Sequence, residues 1–237
     1  MSLEHGHTAP EIAKRLTAAT RRGNLRDVVY GGIDGAVTTF AIVSGVEGAG
    51  LPSNVIVVLG LANILADGFS MAAGNYSATK AEADDAMRLR AMEERHIAVT
   101  PEGELEELRQ ILARKGLEGR VLREATEAIA AKRSAWIEMM MVEEHGVAPS
   151  TPAPLRAGLV TFGAFLLAGF VPLLPFLAGM PFAFLASTLM TGCVFFGIGT
   201  LKSRWSLASW WRSGLETLSI GAAAAAIAYG VGSLFQI

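Results

Sequence analysis

Five apolar stretches constrain this chain more than anything else in it: Val28 to Gly48, Ser53 to Ala78, Leu155 to Ala178, Pro181 to Leu201 and Leu215 to Phe235. Each reaches the roughly 20 helical residues needed to cross a hydrocarbon core of about 30 Å. An open strand in lipid would leave its backbone groups unpaired, so these segments must be helices. Pro172 and Pro175 should bend or end the third. The expected fold class is an all-α membrane protein of five transmembrane helices, with a cytosolic three-helix insert between spans two and three. The domains follow as a lead-in over residues 1–27, spans one and two over 28–78, the insert over 79–150, and spans three to five over 151–237.

Composition excludes the alternatives. A hydrophobic fraction of 51% and a mean hydropathy of +0.41 decide against the one or two soluble domains that the length would allow. The net charge of −2 is small and no basic patch gathers, which argues against nucleic acid as a partner. A single cysteine, Cys193, rules out an intrachain disulfide and any Cys-rich metal knuckle, and reads as a small packing residue. The opening MSLEHGHTAPEIAKRL has charges but no apolar core, so no cleavable signal is expected. Pro10 and Glu11 open a short amphipathic helix there, and Lys14, Arg15, Arg21, Arg22 and Arg26 suit anionic lipid head groups.

Positive charge gives an orientation. The lead-in holds five Lys or Arg, the stretch from Lys80 to Arg156 holds twelve, and the link between spans four and five holds Lys202, Arg204 and Arg212, which accounts for all 20. The other connections hold none. The positive-inside rule therefore expects a cytosolic N-terminus, a cytosolic insert and an outside C-terminus. A short lead-in without a sorting signal fits a prokaryotic cytoplasmic membrane.

The insert is expected to continue out of span two to about Ile97. A second helix follows in TPEGELEELRQILARKG, with Thr100 as its cap, Pro101 at its first position and Gly116 at its end. A third runs from Leu117 through Trp136 to Glu144, stopped by Gly146 and Pro149. Stripes of Leu105, Leu108, Ile111 and Leu112, and of Val121, Leu122, Ala125 and Ile129, supply a small core.

Polar residues in the spans need a reason to be there, since a carboxylate at membrane depth is costly. In span one Asp34 stands among Gly31, Gly35, Ala41, Gly45 and Gly48, one turn before Thr38. The glycines allow another helix to approach closely. In span two Asn63, Asp67 and Met71 are four apart and share a helix face. Amide, carboxylate and thioether suit the wall of an ion path better than a lipid-facing surface. For Asp67 a structural role, accepting hydrogen bonds from Thr38 or Thr39, is the alternative.

Most of the 15 acidic residues in the insert read as a solvated face. Three sets have ligand spacing instead: Glu93 with His96, Glu104 with Glu107, and Met139, Met140 with Glu143. Carboxylate, imidazole and thioether suit a borderline divalent transition metal rather than Ca²⁺ or Mg²⁺.

The runs DGAVTTFAIVSGVEGAGL from Asp34, LGLANILADGFSMAAGNYSATK from Leu59, PEGELEE from Pro101 and EMMMVEEHG from Glu138 resemble the vacuolar iron transporter family. The resemblance implies a non-enzymatic exporter of Fe²⁺, or of Mn²⁺, Co²⁺ or Zn²⁺, out of the cytosol in exchange for protons, with no prosthetic group. It implies a homodimer with the path at its interface. It makes Asp34 and Met71 membrane ligands, and Glu93, His96, Glu104, Glu107, Met139, Met140 and Glu143 the metal-gathering set of the insert. His96 stands where the family pattern has glutamate, which removes a negative charge and makes zinc a better competitor. Two rival readings are a membrane-anchored di-iron oxidase or storage protein, suggested by Glu93-x-x-His96, and an intramembrane aspartyl protease using Asp34 and Asp67.

Overall fold

The computed structural model describes residues 6–18, 23–147 and 152–235. Arg21, Arg22 and Pro149 of the sequence reading lie outside them. The described residues form helices α1 (Ala9–Ala18), α2 (Leu25–Gly48), α3 (Ser53–Val99), α4 (Pro101–Arg114), α5 (Gly119–Ala130), α6 (Arg133–Glu143), α7 (Pro154–Phe170), α8 (Leu174–Leu177), α9 (Ala183–Ser203) and α10 (Trp210–Ser233), and no strand. Five helical segments are long and apolar enough to cross a membrane, with α7, a 3-10 turn and α8 counting as one from Pro154 to Leu177. This is an all-α membrane protein. Two compact units divide it, one of residues 1–22 and 79–152, the other of 23–78 and 153–237. Helix α3 belongs to both.

In the second unit α2 is the central element, packed against α7, α9 and α10. Its glycines explain how it gets close. A methyl group at Gly31 would overlap the carbonyl oxygen of Thr161, and one at Gly35 that of Phe165, both on α7. At the other end Gly48 meets the carbonyl of Tyr229, and Gly232 that of Gly45, bringing α10 in. The glycine seam thus brings helices of the same chain close to α2. Phe40, Val43, Val46, Ile56, Ile64 and Leu173 fill the core beside it.

Pro172 and Pro175 break the third span as expected. Helix α7 stops at Phe170, a 3-10 turn holds Val171–Leu173, and α8 resumes at Leu174. Proline lacks the N–H a continuous ladder needs. The Pro172 carbonyl is taken up by the buried Ser187 hydroxyl of α9, which donates to it at 2.7 Å. Cys193, expected as a packing residue, is exposed on α9.

In the first unit the C-terminal part of α3 packs with α4, α5 and α6 around Ile97, Leu108, Ile111, Leu112, Leu122, Trp136, Ile137, Met140 and Met141. This core is larger than the two stripes suggested. Leu105 and Val121 are exposed, and α6 contributes the difference. The single helix expected from Leu117 to Glu144 is two, because the chain leaves helical geometry at Lys132, φ −114° and ψ 93°. Four good helix formers, Ala130 to Arg133, lie at the break, so tertiary packing overrides local preference. Turning there lets Trp136, Ile137, Met140 and Met141 reach the core, while the Arg133 guanidinium donates to the Glu94 carbonyl at 2.8 Å.

Candidate metal pathway

In the membrane-spanning unit the structure brings the sequence-selected polar residues of α2 and α3 together. Thr38 donates its hydroxyl to the carbonyl of Asp34 one turn back, at 2.9 Å. Asn63 of α3 donates its amide to the Thr38 hydroxyl across 3.2 Å. Asp34 and Asp67 stand close enough for their charges to interact. Asp34, Thr38, Asn63, Asp67 and Met71 are all partly buried. The structural role considered for Asp67 receives no support from the threonines, since Thr38 serves Asp34 and the Thr39 hydroxyl is buried without a partner.

One residue of this row is missing from the sequence reading. Asn75 continues the spacing of four from Asn63, Asp67 and Met71. Its amide lies within hydrogen-bonding reach of three acceptors: Asp27 Oδ1 at 3.0 Å, Thr161 Oγ1 at 2.7 Å and the Ala157 carbonyl at 3.3 Å. It ties α2, α3 and α7 at one point.

In the other unit the ligand-bearing faces converge on an acidic cluster. Glu93 of α3 is 1% exposed and Glu104 of α4 is 6% exposed. Each keeps one carboxylate oxygen, Oε2, buried without a partner. His96 Nδ1 sits 3.4 Å from Glu104 Oε1. Burial pushes the Glu104 carboxyl above its ordinary range, the charges of Glu93 and Glu107 add to that, and His96 opposes it. Glu144 is shifted the same way, by desolvation first and then by Glu107. Buried, crowded carboxylates whose charges raise one another's pKa mark a candidate cation site.

The third set is arranged differently from the spacing argument. Glu143 pairs with Lys115 at 2.7 Å. Met140 is fully buried in the apolar core, and Met139 packs against it. Glu144 and His145 stand in the cluster beside Glu93. His145 Nε2 lies 2.9 Å from Glu93 Oε1 and 3.6 Å from Glu144 Oε2, and Glu93, Glu144 and His145 present ligand atoms all within 4.8 Å of one another. These two residues follow the last helical position. Gly146 turns the backbone left-handed, φ 66°, and the Val147 N–H closes back on the Met141 carbonyl at 2.9 Å, a glycine-terminated helix end. Helix-face spacing does not extend through such a turn.

The model of the VIT family matches residues 25–233. Vacuolar iron transporter 1 of Eucalyptus grandis is 33% identical over 90% of this chain and 86% of its own length. That of Tulipa gesneriana is 34% identical over 90% and 87%. The vacuolar iron transporter of Toxoplasma gondii is 34% identical over 90% of this chain and 74% of its own length.

Proposed function

The chain belongs to the VIT family, and on that premise we propose that it carries Fe²⁺ out of the cytosol in exchange for protons. The observation that carries this reading is the polar row between two apolar spans, where Asp34 and Asp67 are near enough to interact and Asn63 anchors Thr38 beside them. An intramembrane carboxylate needs a positive partner, and a proton or a metal ion can serve. Competition between the two at Asp34 is the simplest basis for exchange. Met71, one turn beyond Asp67, offers a thioether to the same path and favours a transition metal over Mg²⁺.

The acidic unit is the collector. Glu93, Glu104, Glu107 and Glu144 supply negative charge, and His96 supplies an imidazole. Fe²⁺ is the substrate, with Mn²⁺, Co²⁺ and Zn²⁺ as candidates of similar chemistry. The positive-inside rule supports a cytosolic face for this unit and the N-terminus, with the C-terminus outside. Exposed apolar side chains such as Val58, Leu65 and Phe69 on α3 leave surface for lipid and for a second copy in a homodimer. Two interacting aspartates also meet the first need of an aspartyl protease, but membership in a transporter family speaks against an enzyme.

Proton flux driven by metal in liposomes, compared across Fe²⁺, Mn²⁺, Co²⁺ and Zn²⁺, tests the proposal. Fe²⁺ should move protons in the opposite direction, and metal entry without proton movement would remove the exchange.

A further inference from the structure

We propose that His145 is a direct metal ligand through Nε2, and that it gives the collecting unit a seat selective for borderline transition metals over Mg²⁺ and Ca²⁺. The inference rests on the reading that this unit gathers metal.

Without metal, His145 Nε2 is hydrogen-bonded to Glu93 Oε1, and the same spacing also fits a coordination polyhedron. Ligand atoms around a metal at about 2.1 Å stand about 3.0 Å apart along an octahedral edge and about 3.4 Å along a tetrahedral one. The observed separations from His145 Nε2 are 2.9 Å to Glu93 Oε1 and 3.6 Å to Glu144 Oε2. The side chain of His145 is 13% exposed and that of Glu93 1%, so both are already largely stripped of water. Glu93 also has a second oxygen, Oε2, buried and without a partner. A cation bound between the three groups would neutralise Glu93 and engage both of its oxygens or one of them with His145. A neutral imidazole in the shell raises affinity for Fe²⁺, Co²⁺ and Zn²⁺, whereas Mg²⁺ and Ca²⁺ prefer oxygen only. The backbone at this turn is anchored: the His145 N–H closes on the Met140 carbonyl at 3.4 Å, and Met140 is fully buried.

The competing role for His145 is positioning, in which it only holds Glu93 by a hydrogen bond while the metal sits on carboxylates. His145→Gln separates the two, since an amide can still hydrogen-bond Glu93 but is a poor ligand for these metals. The whole chain in detergent micelles, with its histidine nitrogens isotopically labelled, is titrated with Zn²⁺ and followed by NMR, alongside calorimetry with Zn²⁺, Co²⁺ and Mg²⁺. With only 4 histidines, the His145 Nε2 resonance is assigned by its loss in His145→Gln. The expected result is movement of that resonance to a metal-bound position, and a loss of about tenfold or more in Zn²⁺ and Co²⁺ affinity in His145→Gln with Mg²⁺ affinity unchanged. Zn²⁺ binding with the resonance unmoved, or wild-type selectivity in His145→Gln, would overturn the ligand role and leave the collecting unit standing. No calorimetric binding of any of the three metals would overturn the collector itself, and this inference with it.

Discussion

Asn63 on α3 donates its side-chain amide to the hydroxyl of Thr38 on α2, and Thr38 donates in turn to the carbonyl of Asp34. This chain fixes the turn of α2 that carries the intramembrane carboxylate. Asn63→Ala removes a partly buried interhelical hydrogen bond worth about 0.6 to 1.7 kcal/mol in membrane proteins. The variant should melt slightly lower and transport Fe²⁺ more slowly at unchanged metal affinity of the collecting unit, measured by flux and calorimetry on the same preparation.

The close approach of α2 to α7 makes a sharper prediction. Gly35→Val forces a branched side chain into the carbonyl of Phe165, an overpacking that costs about 1 to 3 kcal/mol or more. Gly163→Ala, where nothing lies within 4 Å of the added carbon, should not destabilise and should gain up to about 1 kcal/mol of helix propensity. Thermal unfolding in detergent distinguishes them, and equal melting points would refute the packing described.

Glu143 and Glu144 are neighbours with different work. The Lys115 to Glu143 ion pair has partners 44% and 30% exposed, so Glu143→Ala should cost no more than about 1 kcal/mol and leave metal affinity alone. Glu144→Ala should weaken metal binding by about tenfold or more. Calorimetry with Co²⁺ reads both, and a larger loss from Glu143 would reverse the assignment.

Glu104 links metal, proton and stability. Its folded-state pKa is raised, so it favours the folded metal-free protein at acid pH, and that contribution is lost as pH rises through the raised value. Metal reverses the sense by pairing the ionised form. The Glu104 contribution to the metal-free protein should therefore grow on acidification, while the stabilisation by metal, about 2.7 kcal/mol at 100 times Kd, should shrink over the same interval. Glu104→Gln should raise the melting point without metal and blunt its rise with metal, by differential scanning fluorimetry.

The elements and most of the site are legible in the sequence because helices impose a simple period. Asn63, Asp67 and Met71 fall on one face by spacing alone, and Asn75 extends the same row by one more turn. The glycines of α2 announce a close approach but not its partner, since a small residue accepts any helix, and here α7 and α10 take the places. The break at Lys132 has no local mark, because it is fixed by burying Trp136 and Ile137 rather than by the residues at the bend. Glu144 and His145 escape helix-face spacing because Gly146 has already ended α6.

The most direct test of the central claim is Fe²⁺ flux into proteoliposomes under an imposed pH gradient, wild type against Asp34→Ala at matched incorporation. Flux should depend on the gradient in the wild type and should not exceed that of protein-free liposomes in Asp34→Ala. Flux through Asp34→Ala at the wild-type rate would contradict the claim.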